Sequence, residues 1–193
     1  MADDAPGEPR MRILVADGLT LEPQTAAHAI EMFAVLRDPA LYEHEGEPPP
    51  SLEWLRSRFA RLEARRSADG TEHWLNWVVR LPSAEAVGYV QATARRDGHA
   101  YVAYVISSAH WGRGVARRAV EAMIAELSAR YGIEVLWAIL KEHNARSRQL
   151  LVRLGFTAVP PESHAGHPVD SGEALMCRRA DGPGAGHPLA GTQ

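Results

Sequence analysis

Two glycines stand between a predicted strand and a predicted helix, in the segment His110-Trp111-Gly112-Arg113-Gly114-Val115-Ala116. Glycine permits a tight turn and a close approach of a ligand to the backbone. The first turn of a helix offers unpaired N–H groups at the positive end of its dipole. This combination is typical of a phosphate or pyrophosphate site. Gly-x-Gly also occurs at ordinary strand-to-helix turns, so the segment alone leaves both interpretations open.

Two other phosphate motifs do not fit this segment. A Walker loop requires Gly-Lys-Ser/Thr, whereas the chain has Gly-Arg-Gly-Val at this place. A dinucleotide fingerprint requires a third small residue where Arg117 stands. The segment therefore belongs to neither class.

A second segment, Asn144-Ala145-Arg146-Ser147, follows a nearly continuous apolar stretch and precedes Leu154-Gly155-Phe156. Asn144 is placed to cap the next helix, with Ser147 about one turn inside it, and capping alone is a sufficient structural explanation. Ligands of sheets with parallel strands bind at the carboxyl ends of the strands. Both segments are predicted to lie at such ends, so we expect them to form one site.

The two segments together resemble a known family. Trp111-Gly112-Arg113-Gly114-Val115-Ala116 is similar to the Gln/Arg-x-x-Gly-x-Gly/Ala loop of the GNAT superfamily, the acyl-coenzyme A-dependent N-acyltransferases. Asn144-x-x-Ser147 with Leu154-Gly155-Phe156 is similar to the later block of these enzymes. The combination resembles most the branch of ribosomal-protein N-terminal alanine acetyltransferases, over roughly residues 10–180.

The resemblance implies a role for each matching residue. Backbone groups around Val105 and Ile106 would align the pantetheine arm and help polarise the thioester carbonyl. The loop opened by Trp111 would hold the pyrophosphate through the N–H groups of Gly112, Arg113, Gly114, Val115 and Ala116. Asn144 would contact the pantetheine side of the cofactor. Ser147 would lie near the thioester sulfur and is a candidate to protonate the departing thiolate.

The chain departs from the family pattern at two positions. The loop begins with Trp111 instead of Gln or Arg, which a site built from backbone N–H groups tolerates. Many family members carry a tyrosine acid four residues after the position of Ser147, but that residue is Leu151 here. Ser147 as the acid is therefore a hypothesis, and a capping or packing role is its alternative.

No residue is assigned as the general base. A His or a perturbed carboxylate near the cleft could take the proton of the amine, directly or through water. The candidates are Glu142, His143, His73, Asn76 and Tyr104, each of which is equally well explained as a structural or surface residue. His164 and His167 lack a third ligand in a Gly/Pro-rich loop, so we expect no metal.

The elements that must position these residues follow from hydrophobic periodicity. One or two short strands are expected within residues 12–21, and further strands over 74–81, 86–94, 101–107, 133–140, 156–159 and 173–179. Helices are expected after Thr25, from Ser51, over 115–131 and over 145–154. The predicted fold class is α+β (mixed α/β), the GNAT fold. It has a mixed, mostly antiparallel sheet of about six to seven strands, a parallel pair splayed at the cofactor site, and about four flanking helices. We expect the tryptophans Trp54, Trp74, Trp77 and Trp137 to be mostly core or pocket wall.

Length and composition limit the remaining possibilities. The chain has 193 residues with 46% hydrophobic and 23% charged side chains, which fits a single domain. We predict that this domain spans residues 11–180, between flexible tails at 1–10 and 181–193. The lone Cys177 excludes an internal disulfide and a thiolate zinc cluster. A net charge of -3 argues against a nucleic-acid partner.

The predicted function is transfer of an acetyl group from acetyl-CoA to a primary amine, at a protein N-terminus or on a small molecule. Two alternatives remain: a non-catalytic coenzyme A-binding module and an antibiotic-modifying acetyltransferase. Selectivity would come from Asp38–Pro50, the strand meander and Pro160–Pro168. No apolar stretch reaches the length of a membrane span, so a soluble cytoplasmic protein without a membrane partner is expected. A homodimer through an exposed sheet edge is plausible.

Overall fold

A computed structural model describes residues 9–44, 46–163 and 168–180. Within these residues the chain forms one eight-stranded sheet and four α-helices. The strands are β1 (Leu14–Ala16), β2 (Leu19–Pro23), β3 (Glu72–Arg80), β4 (Ala86–Arg95), β5 (His99–Ile106), β6 (Val135–Lys141), β7 (Thr157–Val159) and β8 (Glu173–Arg179). The helices are α1 (Ala29–Leu36), α2 (Leu52–Leu62), α3 (Val115–Tyr131) and α4 (Ala145–Arg153).

The strand order in the sheet is β1-β2-β3-β4-β5-β6-β8-β7. Only β5 and β6 pair in parallel among the described strands, and helix α3 connects them. This arrangement confirms the predicted fold class. The sheet has eight strands instead of about six to seven, and residues 12–21, which were expected to form one or two short strands, form two, β1 and β2. The division falls at the turn Asp17-Gly18, where both residues have a positive φ.

The ends of the helices follow local sequence rules. Ser51 caps α2, since its hydroxyl oxygen accepts a hydrogen bond from the amide N–H of Trp54 at 3.1 Å. Helix α3 ends at Gly132, which adopts the left-handed conformation with a φ of 63°. Both ends were predicted from the sequence and are confirmed.

The sheet carries apolar layers on its two faces. The larger cluster joins α3 and α4 to the sheet, through residues such as Val120, Met123, Leu127, Leu136, Leu151 and Phe156. The smaller cluster joins α1 and α2 to the other face, through residues such as Met32, Leu55, Phe59 and Val78. Trp77 is fully buried and Trp137 nearly so, as expected, but Trp54 is 47% exposed. The expectation for Trp54 was wrong because it lies beside, not on, the Leu55/Phe59 stripe of α2.

Several predicted features lie outside the described residues. The predicted C-terminal tail 181–193 is one, and the histidine pair His164 and His167 is another. Of the predicted N-terminal tail only Pro9 and Arg10 are described. Their carbonyl oxygens accept hydrogen bonds from side chains of Tyr131 (3.2 Å) and Arg130 (3.0 Å) at the end of α3. In the part of the chain that the structure describes, no helix is long and apolar enough to cross a membrane.

Candidate active site

A gap opens between the carboxyl ends of the two parallel strands. β5 and β6 pair only from His99↔Val135 to Tyr101↔Trp137. Beyond these pairs, residues 102–106 of β5 and 138–141 of β6 run on without pairing to each other. The strands are therefore splayed where they lead into α3 and α4. Both sequence segments singled out for chemistry border this gap.

The backbone of β5 presents alternate residues to the gap. The carbonyl of Gly98 points toward β6, since it accepts a hydrogen bond from the amide of Glu134 at 2.8 Å. Alternation along the strand directs the backbone groups of Ile106 to the same side. The carbonyl of Val105 points toward β4 instead, because a Cβ added to Gly88 would lie 2.1 Å from it. Of the two predicted backbone sites, Ile106 faces the gap and Val105 does not.

The glycine loop leads directly into the first turn of α3. Gly112 and Gly114 both have a φ of 73°, and a Cβ on either would meet no atom within 4 Å. The loop surface is therefore open. The helix has no side-chain cap, so the N–H groups of Val115 and Ala116 have no partner within the helix. Open glycines beside such N–H groups fit the diphosphate of a nucleotide cofactor.

Trp111 joins the loop to both sides of the gap. Its indole Nε1 donates a hydrogen bond to the carbonyl oxygen of Ile106 at 2.8 Å. The guanidinium of Arg146, in the first turn of α4, lies 3.5 Å from the centre of the indole ring. Among the described residues, no carboxylate pairs with Arg146. Sequence reasoning missed this arginine, although it lies inside the Asn144-x-x-Ser147 segment.

Two hydroxyl groups meet inside the gap. Asn144 caps α4, since its Oδ1 accepts the amide hydrogen of Ser147 at 3.0 Å. The Oγ of Ser147 lies 2.8 Å from the phenol oxygen of Tyr104, which reaches across from β5. Burial raises the pKa of Tyr104, so the phenol keeps its proton at neutral pH. Leu151, at the place of the family's tyrosine acid, is buried in the core.

The connection between α1 and α2 contacts both sides of the gap. The Asp38 carboxylate accepts hydrogen bonds from the Ser108 hydroxyl, just after β5, and from the Ala40 amide. The first of these is the main reason why the pKa of Asp38 lies below its usual value. Midway along the connection, the ring of His44 packs edge-on against His143, with centroids 5.0 Å apart.

The candidate bases are dispersed. Glu142 and His143 lie exposed just before α4, beside the gap. His73 pairs with Ala94 near the other end of the sheet, away from the gap. Asn76 is buried on β3, on the face covered by α1 and α2. In residues 9–44, 46–163 and 168–180 there is no group of three His, Cys, Asp or Glu that could hold a metal ion.

The family described as acetyltransferase (GNAT) domain matches residues 18–157. Because this span is most of the chain, the protein belongs to the GNAT acetyltransferase family. No match is found among curated proteins. Family membership confirms the predicted class, an enzyme that transfers an acetyl group from acetyl-CoA to an amine.

Solved structures of acetyltransferases are similar over nearly the whole chain. RimL, a ribosomal L7/L12 alpha-N-protein acetyltransferase in complex with coenzyme A, is 18% identical with a TM-score of 0.74, covering 88% of this chain and 99% of that chain. The ribosomal-protein-S5-alanine acetyltransferase from Vibrio fischeri is 17% identical with a TM-score of 0.70, covering 89% and 98%. MccE, a microcin C7 self-immunity acetyltransferase in complex with acetyl-CoA and AMP, is 15% identical with a TM-score of 0.70, covering 91% and 97%. These similarities confirm the GNAT fold.

Proposed function

We propose that the protein acetylates a primary amine by direct attack of the amine on acetyl-CoA held in the gap between β5 and β6. The observation that carries the proposal is the arrangement of this gap. The open glycine loop lies at its mouth, and the Tyr104–Ser147 hydroxyl pair lies inside it. Bound acetyl-CoA supplies the acetyl group as a thioester, which an amine can attack without a covalent enzyme intermediate.

The chain's own residues bind and orient this substrate. The N–H groups of the segment 112–116 hold the diphosphate at the positive end of the α3 dipole. The N–H of Ile106 is the proposed donor that polarises the thioester carbonyl, because alternation along β5 directs it toward the gap. Asn144 contacts the pantetheine arm while it fixes the first turn of α4.

Ser147 is the proposed hydrogen donor to the departing sulfur. The amine nitrogen forms a bond to the acetyl carbon, the carbon–sulfur bond breaks, and its electron pair stays on sulfur. The amine releases one proton to water or to a nearby base. The sulfur takes one proton from the Ser147 hydroxyl, and solvent then re-protonates the serine oxygen. The products are the N-acetylated amine and coenzyme A, so atoms and charge balance.

The acceptor is a primary amine, either a protein N-terminus or a small molecule. Of the similar proteins, RimL is an alpha-N-protein acetyltransferase and MccE is a self-immunity acetyltransferase. In this chain the amine would enter past the α1–α2 connection, since Asp38 and His44 hold that segment against both sides of the gap.

Amine-dependent release of the coenzyme A thiol tests the proposal. The panel is a peptide with a free N-terminal alanine, spermidine and an aminoglycoside, with the N-acetylated peptide as control. We expect turnover with one member of the panel, none with the control, and a large loss of kcat in Ser147→Ala. Binding of acetyl-CoA with no turnover of any member of the panel would contradict the proposed acceptor class. Full turnover by Ser147→Ala would remove Ser147 from the mechanism.

We further propose a cytoplasmic location, a single domain over residues 11–180 and pairing of two copies. The free thiol of Cys177 fits a reducing compartment. The edge strand β1 supports a homodimer, because Val15 is 80% exposed there. Size-exclusion chromatography with light scattering would test the oligomeric state.

A further inference from the structure

The phenol of Tyr104 and the hydroxyl of Ser147 lie 2.8 Å apart, although they are 43 residues apart in sequence. They belong to opposite sides of the gap, one to β5 and the other to α4. We infer that Tyr104 is a positioning residue, which donates a hydrogen bond to Ser147 and thereby aims the serine hydroxyl at the substrate sulfur. This inference rests on the proposed function, because it assigns a partner to the proposed donor.

Each of the two hydroxyl groups has one hydrogen, so the hydrogen bond between them can run in either direction. In the first, Tyr104 donates to Ser147 Oγ, and the serine hydrogen is free to point into the gap. In the second, Ser147 donates to the phenol, and Tyr104 must direct its hydrogen to the carbonyl oxygen of Ser147, which lies 3.4 Å away. An O–H···O bond normally spans about 2.5–3.0 Å, so the second pattern leaves the phenol hydrogen poorly bonded. The first pattern is therefore favoured, and it is the one that leaves Ser147 able to donate.

Ser147 is held from two directions. Its amide is bonded to the Asn144 side chain at 3.0 Å and its hydroxyl to Tyr104. A serine side chain otherwise has three staggered rotamers, of which one places Oγ against the phenol. A group that must act on one atom of a substrate gains from such fixation, because a displaced donor loses much of its effect. Burial keeps the Tyr104 phenol protonated, so that it can donate this hydrogen bond at neutral pH.

The variant Tyr104→Phe removes the phenol oxygen and keeps the ring, so the packing against α4 is retained. We expect kcat to fall about tenfold, the usual order for one lost positioning hydrogen bond, with an unchanged KM for acetyl-CoA. A second readout needs no acceptor amine. The ionisation of the bound coenzyme A thiol can be followed by the ultraviolet absorbance of the thiolate as the pH rises.

A hydroxyl aimed at the sulfur stabilises the thiolate, so we expect the wild-type protein to bind coenzyme A with a thiol more acidic than that of free coenzyme A. Tyr104→Phe should lower the acid dissociation constant of the bound thiol about tenfold, toward that of free coenzyme A. Ser147→Ala should abolish it, and adding Tyr104→Phe to Ser147→Ala should change nothing more. Tyr131→Phe is the matched control, because it removes a half-buried phenol oxygen at the far end of α3. It should leave both readouts at the wild-type value.

The outcomes separate this inference from the proposed function. If Ser147→Ala loses turnover and thiol acidification while Tyr104→Phe keeps both, the positioning role of Tyr104 is wrong and the proposed function stands. If the effects of the two substitutions add in the double variant, Tyr104 acts independently of Ser147 and the inference is again overturned. If Ser147→Ala changes neither readout, the proposed role of Ser147 fails, and that of Tyr104 fails with it.

Discussion

The guanidinium of Arg146 lies 3.5 Å from the centre of the Trp111 indole ring, and this indole also donates a hydrogen bond to Ile106. The contact joins the end of β5 to the start of α4, across the mouth of the gap. The aromatic face holds a cation at Trp111, the residue that opens the glycine loop leading to the positive end of the α3 dipole. Positive charge concentrated in this way favours an anion, and we expect the cofactor phosphates to be that anion.

Replacing Arg146 by alanine should therefore weaken acetyl-CoA binding. We expect the KM for acetyl-CoA to rise about fivefold, corresponding to about 1 kcal/mol, with little change in kcat. Arg153→Ala is the control, because it removes the same charge from an exposed position at the other end of α4. Steady-state kinetics at low and high salt would measure both effects. Equal KM values for the two variants would show that Arg146 has no special role.

The backbone of the glycine loop can be tested with a matched pair of substitutions. Gly114 and Gly70 have φ values of 73° and 69°, and a Cβ on either would meet no atom within 4 Å. Alanine at each position should cost about 1 kcal/mol of folding stability, because L residues are strained in this conformation. Only Gly114→Ala should also weaken acetyl-CoA binding, measured by calorimetry, since it moves the N–H groups of the loop. An unchanged affinity of Gly114→Ala for acetyl-CoA would argue against a diphosphate site in the glycine loop.

Gly88→Ala should be much more harmful than either of these substitutions. The added Cβ would lie 2.1 Å from the carbonyl oxygen of Val105, which is too close without a shift of the backbone. We expect a loss of about 3 kcal/mol or more in the free energy of unfolding, measured by urea denaturation. A stability loss no larger than that of Gly70→Ala would show that β4 and β5 adjust freely there.

Tyr89 should make the protein sensitive to alkaline pH. Burial raises the pKa of Tyr89 from 10.0 to about 12. As the pH rises, the Tyr89 phenol ionises in the unfolded chain before it does so in the folded protein. Its contribution to the free energy of unfolding is therefore complete below pH 10 and is lost as the pH rises toward 12. Tyr89→Phe should reduce this loss by up to about 2 kcal/mol. Denaturant unfolding across this alkaline range would measure the difference, and parallel pH profiles for the two proteins would contradict the assignment.

The parts of the fold predicted from sequence are those that local rules decide. The apolar period of α3 and its end at Gly132 need no knowledge of distant residues, and the Ser51 cap of α2 likewise depends on its neighbours alone. The parallel pairing of β5 and β6 followed from the strand-helix-strand order. The single domain over residues 11–180 stays a prediction.

The contacts within the site could not be predicted, because they join residues that only the splayed strands bring together. Tyr104 was considered as a base, yet its contact with Ser147 spans 43 residues, and that of Asp38 with Ser108 spans 70. The orientation of Val105 depends on the close approach of Gly88 on the neighbouring strand. Motif matching indicated the segments of the site, whereas register and strand divergence determined the atoms that face the gap.

Thermal unfolding with acetyl-CoA tests the central claim most directly, with NAD and ATP as controls. A ligand that binds only the folded state raises the melting temperature by mass action. At about 100 times its Kd, acetyl-CoA should add about 2.7 kcal/mol, or about 5–10 °C for a domain of this size. The controls should shift the transition much less. No shift with saturating acetyl-CoA, or an equal shift with all three nucleotides, would contradict a dedicated acetyl-CoA site between β5 and β6.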